Sequence, residues 1–92
     1  MPLLDTSQTP SFANGFRFQW EEAQDCYVLL YPEGMIKLNS TSGEILKLVD
    51  AKQNVSDIVN TLQAKFGQND SIESDVHAFV EEAVAKNWIR LN

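Results

Sequence analysis

The sequence predicts an α+β fold, winged-helix-like, in which a three-stranded antiparallel sheet is followed by a three-helix bundle. Three observations predict it. Apolar and polar residues alternate from Phe16 to Glu21, and strand-like apolar runs continue only to Leu38. Beyond Asn39 the apolar residues recur at the three-and-four spacing of helices. The strand-like half precedes the helical half without interleaving, which indicates segregated strands and helices rather than a parallel α/β sheet.

Each element has its own signals. Residues 1–14 hold two prolines and little periodicity, and read as a flexible N-terminal arm ahead of a domain spanning 15–92. Leu3, Leu4 and Phe12 are the arm residues suited to dock on the core or on a second copy. Phe16, Phe18 and Trp20 alternate with Arg17, Gln19 and Glu21, the pattern of a strand with one buried face. After the polar turn Glu21–Asp25, Cys26 to Tyr31 is apolar on both faces, as in a central strand. Pro32-Glu33-Gly34 predicts a tight hairpin, with proline presetting the turn and glycine supplying a positive φ. Met35 to Leu38 is the third strand.

The first helix is signalled by Asn39, Ser40 and Thr41, with Glu44 placed for a capping box with Thr41. Its apolar stripe is Ile45, Leu46, Leu48 and Val49, and Asp50–Gln53 breaks it. Asn54 caps a second helix that carries Val55, Ile58, Val59, Leu62 and Phe66 and stops at Gly67. Gln68–Ser71 reads as a polar loop pinned by Ile72. The third helix is expected from about Ser74 to Lys86, with Val76, Phe79, Val80, Ala83 and Val84 in one arc. Asn87 suits a left-handed stop, and Trp88–Leu91 an extended tail returning to the core.

Length and charge exclude several function classes. A chain of 92 residues is one domain, and such a domain buries only about 60–65% of its unfolded surface, leaving little room for a deep enzyme cavity. Seven basic residues against thirteen acidic ones give a net charge of −6. A phosphate-tracking face needs clustered Lys and Arg, so nucleic acid is not an expected partner. No apolar run approaches the ~18 residues of a membrane span, and Met1–Asn14 lacks the basic and apolar regions of a signal peptide. With the single cysteine Cys26 no internal disulfide forms. A cytoplasmic protein is the expectation.

Catalytic chemistry is not signalled. One His and one Cys do not make a zinc set. Cys26 opens an apolar strand, the setting of a buried, inert thiol, and His77 reads as an exposed helical residue. Phosphate-cradling glycine motifs and a nucleophile elbow are absent. Glu21/Glu22 and Glu81/Glu82 are adjacent pairs whose side chains diverge. The expectation is no catalytic residue, no metal and no cofactor. What remains is binding. An exposed edge on Met35–Leu38 would either offer unpaired backbone groups to which a peptide adds as a further strand, with the third helix as the wall, or be an ordinary edge blunted by Lys37.

The run Val28-Leu29-Leu30-Tyr31-Pro32-Glu33-Gly34-Met35-Ile36-Lys37-Leu38-Asn39 resembles the core of the PqqD family. Arg17-Phe18-Gln19-Trp20-Glu21, Gly43-Glu44-Ile45-Leu46, Phe66-Gly67, Asp75-Val76, Phe79 and Trp88 fit the same family in order, so the resemblance spans about Phe16 to Leu91. It implies a recognition element for ribosomally made, modified peptides. Such an element binds the precursor peptide PqqA and presents it to the radical-SAM enzyme PqqE, which joins a Glu and a Tyr of that peptide. It implies neither catalysis nor a cofactor. Carried over by position, the peptide-binding residues are Met35, Ile36, Lys37 and Leu38 on the strand, with Asp75, Val76, Phe79, Val80 and Ala83 on the helix. Ile36 and Leu38 share one strand face and Met35 and Lys37 the other, so one pair faces the core. Where the family often has Asp-Gly after the first helix, this chain has Asp50-Ala51, a change expected to alter the turn.

Two other readings share the fold. A recognition element of a different modified-peptide pathway differs in its peptide, and the Pro-Glu-Gly-Met run argues against it. A winged-helix DNA-binding protein would need a basic third helix, whereas this one carries Glu73, Asp75, Glu81 and Glu82 against Lys86. The sequence leaves monomer and dimer open.

Overall fold

The computed structural model describes residues 4–92; Leu3 lies outside them. The elements are β1 (Pro10–Phe12), β2 (Arg17–Glu21), β3 (Cys26–Tyr31), β4 (Gly34–Lys37), α1 (Ser40–Leu46), α2 (Val55–Phe66), α3 (Asp70–Ala85) and β5 (Ile89–Leu91). The three expected strands are β2, β3 and β4, joined in that order as an antiparallel sheet with β3 central. Val28 and Leu29, on opposite faces of β3, are both fully buried, as its two-sided apolar run requires. The pairing Tyr31↔Gly34 leaves Pro32 and Glu33 as the turn. Gly34 is not among the positive-φ residues, contrary to expectation, so Pro32 sets this turn without a left-handed glycine.

A second, two-stranded sheet pairs β1 with β5 in the register Pro10↔Leu91, Ser11↔Arg90, Phe12↔Ile89. Part of the segment assigned to a loose arm is therefore a strand. Three residues including a proline show no usable alternation, and the partner is the far end of the chain. Thr9 and Asn92 extend the ladder by exchanging both backbone bonds, at 2.9 and 3.0 Å. Leu4 and Phe12 pack against the core, as the arm's apolar residues suggested.

The same segment completes α2. Asn54 Oδ1 accepts from Asp57 N at 2.7 Å and Asp57 Oδ2 accepts from Asn54 N at 3.3 Å, a capping box with Asn in the usual Ser/Thr place. The preceding helical donors, Val55 N and Ser56 N, are satisfied by the carbonyls of Gln8 and Thr6 at 3.1 and 3.0 Å.

Caps also correct the other helix boundaries. Asn39, not Thr41, caps α1, its Oδ1 accepting from Ser42 N at 2.8 Å. Asn69 caps α3 by accepting from Ser71 N at 2.8 Å, so α3 starts at Asp70 and Ile72 lies in its first turn rather than in a loop. Asp70 and Glu73 then sit in the first turn, where the helix dipole favours acids. Asn87 ends α3 at φ 64°, the left-handed stop its type suggested. After α1, Asp50 Oδ1 accepts from Lys52 N and Gln53 N, and Ala51 sits at φ 64°. The turn therefore keeps a left-handed residue although alanine occupies it.

The core lies between the sheet and the helices. Leu29, Ile45, Leu46, Val55, Ile58, Val76, Val80, Ala83 and Ile89 are almost completely buried within it, each large aliphatic side chain contributing about 1.5–3 kcal/mol. An aromatic chain runs along one edge: Phe12 stacks on Phe18, Phe18 on Tyr27 at 4.7 Å between centroids, and Trp20 meets Tyr27 edge-on at 5.0 Å. Trp20 is nonetheless exposed, so the expected buried face of β2 thins out at that end.

Candidate functional site

β4 is an edge strand. Among the described residues no strand pairs with its outer side. Which backbone groups that side presents follows from one hydrogen bond. Leu38 N donates to Tyr27 O at 3.0 Å, and the register places Leu38 opposite Tyr27, Ile36 opposite Leu29 and Gly34 opposite Tyr31. In an antiparallel ladder alternate residues bond across to the partner. Those three face β3, and the N–H and C=O groups of Met35 and Lys37 point to the free edge. Their side chains are exposed too, whereas Ile36 packs on the core and Leu38 is buried in it.

On α3 the expected residues divide similarly. Val80 and Ala83 are fully buried and Val76 nearly so; they form the inner stripe of the helix. Phe79 is half-buried, with its ring 6.4 Å from that of Trp88. Asp75 is exposed.

A cleft of about 360 Å³ opens between the three helices. Its walls are Ile45 from α1, Leu62 and Phe66 from α2, and Ile72 and Val76 from α3, while Ser40, Thr41, Glu44 and Asp75 supply polar atoms. Of the nine residues carried over from the family, Asp75 and Val76 reach it. The α1 and α2 contributors escaped the sequence reading because their apolar spacing is that of any core-facing helix. Phe66 was the available signal: a large apolar residue at the very end of a helix, 58% exposed. Glu44 is paired with Lys65 at 2.6 Å, and Lys65 also lies 5.2 Å over the Phe66 ring.

Cys26 and His77 are both half-buried, a departure from the buried thiol and exposed imidazole expected. Among the described residues there is no group of three or more His, Cys, Asp or Glu side chains disposed to hold a metal, and no helix long and apolar enough to cross a membrane.

The family described as coenzyme PQQ synthesis protein D (PqqD) matches residues 26–89. The chain belongs to the PqqD family. Among its PqqD relatives, a PqqA binding protein of Stutzerimonas stutzeri is 50% identical over 91 residues, covering 99% of each chain. One from Pseudomonas aeruginosa is 53% identical, covering 99% of this chain and 97% of its own. The solution structure of the PqqD portion of Methylobacterium extorquens PqqCD, described as a functional, stand-alone recognition element for ribosomally synthesised and post-translationally modified peptides, superposes with a TM-score of 0.77. It is 27% identical, with 95% of this chain and 94% of that one covered. The sheet of β2, β3 and β4 with three helices is thus the fold of a PqqD recognition element.

Proposed function

We propose that this chain binds a PqqA precursor peptide and presents it to the radical-SAM enzyme PqqE, itself catalysing nothing. The observation that carries the reading is the free edge of β4, where Met35 and Lys37 hold outward-facing backbone donors and acceptors. A peptide laid antiparallel there makes main-chain bonds for affinity, and side-chain contacts then fix its register. The relatives named as PqqA binding proteins support the identity of the peptide. Asp75 and Phe79, which keep surface on α3, are the wall contacts in this reading; Val76, Val80 and Ala83 shape the wall from beneath. The setting is cytoplasmic.

The test is calorimetric titration of the chain with a PqqA precursor peptide, with duplex DNA at the same salt as control. Saturable one-to-one binding to the peptide and none to DNA is the expected result. Binding to DNA, or none to the peptide, overturns the reading.

A further inference from the structure

The three-stranded sheet has a second free edge. Its order β2-β3-β4 leaves the outer side of β2 unpaired among the described residues. The hydrogen bond that orients β4 also orients β2. Tyr27 O receives Leu38 N, so Tyr27, Leu29 and Tyr31 bond towards β4, and Cys26, Val28 and Leu30 bond towards β2. Their partners there are Glu21, Gln19 and Arg17. The N–H and C=O groups of Phe18 and Trp20 therefore point outward, and neither residue has a further backbone partner among the described residues.

We propose that β2 pairs antiparallel with β2 of a second copy of this chain, across a two-fold axis at Gln19. Arg17 then stands opposite the second copy's Glu21, Phe18 opposite its Trp20, and Gln19 opposite its Gln19. The strand itself fixes this register. In an antiparallel ladder outward-facing residues bond to outward-facing residues, so Phe18 and Trp20 meet either one another or their own equivalents. Of these arrangements, Phe18 against Trp20 is the one that pairs every residue of Arg17–Glu21. Directly opposite residues share a sheet face, and the two-fold axis sets Arg17 against Glu21 twice, once on each side. Opposite charges so placed stabilise a ladder, like charges destabilise it, and aromatic pairs add to it.

The groups concerned are free within one copy. Arg17 is exposed and Glu21 half-buried, and neither has an ion-pair partner among the described residues. Glu22 and Asp25, next along the turn, are exposed and unpaired as well, so an arriving Arg17 enters an acidic end. Trp20 is 48% exposed and held edge-on by Tyr27. Nor is the edge protected. Edge strands are blunted by lysine, proline or a bulge. β2 carries neither residue, and its register with β3 runs unbroken from Arg17 to Glu21. β4, with Lys37, is on the far side of β3. Both copies thus keep the edge that the peptide reading uses, and the dimer does not rest on that reading. A net charge of −6 on each copy opposes association, and an edge of 5 residues is small, so the dimer is a weak one.

Sedimentation equilibrium of the full chain at physiological salt, up to about 1 mM, tests it. A monomer–dimer equilibrium is expected. Arg17→Glu and Glu21→Arg each set like charges opposite one another twice, and each is expected to weaken association about tenfold. An equimolar mixture of the two variants restores both opposite-charge pairs in dimers holding one chain of each, and should associate about as well as the unaltered chain. In the unaltered chain the amide signals of Phe18 and Trp20 should move with protein concentration while those of Met35 and Lys37 stay. A chain that remains monomeric throughout overturns the proposal. So does association that neither variant weakens, or that mixing folded variants does not restore. Should a variant fail to fold by circular dichroism, the amide signals of the unaltered chain decide: unmoved Phe18 and Trp20 overturn the pairing. Movement of those two amides when a PqqA precursor peptide is added to monomeric chain gives the edge to the peptide and overturns the dimer.

Discussion

The ring of Tyr27 lies 3.0 Å from the point where a Cβ on Gly43 would stand. Glycine within a helix ordinarily costs about 1 kcal/mol relative to alanine. Here it lets α1 close on β3, and Tyr27 is held in place by Phe18 and Trp20. Gly43→Ala should therefore destabilise the domain by about 1–2 kcal/mol despite the gain in helix propensity. Urea unfolding measures it; a more stable variant would show that the Tyr27 ring yields.

Ala51 presents the opposite case. At φ 64° its Cβ is strained, and a left-handed alanine costs about 1–2 kcal/mol. Ala51→Gly relieves that strain at some cost in unfolded-chain entropy, so a net stabilisation of about 0.5–1 kcal/mol is expected. Thermal unfolding of the pair should place the glycine variant higher.

The same turn predicts an acid response. The Gln53 N–H, and after it that of Lys52, hold the Asp50 carboxyl below its ordinary value of 3.8. A depressed carboxyl stabilises the fold at pH values above its unfolded-state value and loses that contribution as pH falls through the folded one. Between neutral pH and pH values below 3.8, the unaltered chain should lose more stability than Asp50→Asn, which keeps an acceptor oxygen and does not titrate. Parallel loss in the two would remove Asp50 from the account.

Strand addition makes a positional prediction. Lys37→Pro deletes a donor that faces away from β3, so the sheet should survive while peptide affinity drops about tenfold, roughly one or two hydrogen bonds at about 1 kcal/mol each. Lys37→Ala keeps the donor and should bind nearly as the unaltered chain does. Ile36→Pro removes a donor that faces β3 and should unfold the hairpin. Circular dichroism beside calorimetry separates the three.

The N-terminal segment should matter to a helix far from it in sequence. A chain begun at Thr9 lacks the Gln8 and Thr6 carbonyls that receive Val55 N and Ser56 N. Hydrogen exchange at those two amides should quicken about tenfold, and stability should fall by about 1–2 kcal/mol. Unchanged exchange would mean water replaces both carbonyls without loss.

What was legible in the residues was what local patterns encode. The central strand announced itself by apolar character on both faces, and Asn54 marked the start of α2. Helix starts were misplaced by a few residues where several capping types stand together, as at Asn39 and Asn69, and other assignments failed where the deciding partner was distant. Pro10–Phe12 is a strand because Ile89–Leu91 lies beside it, and nothing near Pro10 says so. Val80 and Ala83 share a helical arc with Phe79, and periodicity alone does not tell a buried stripe from a groove wall. The cleft draws on three helices, so no single stretch of sequence describes it. The free edge was legible as a strand, but the outward direction of the Met35 and Lys37 donors required the register.

The bonds between Thr9 and Asn92 bring the N-terminal segment and the C-terminal residue side by side, in a sheet that shares no strand with β4. Segments brought together in this way are the geometry in which insertion of a domain into another polypeptide is tolerated. The C-terminal residue falls on the two-stranded sheet, and the free edge of β4 belongs to the other.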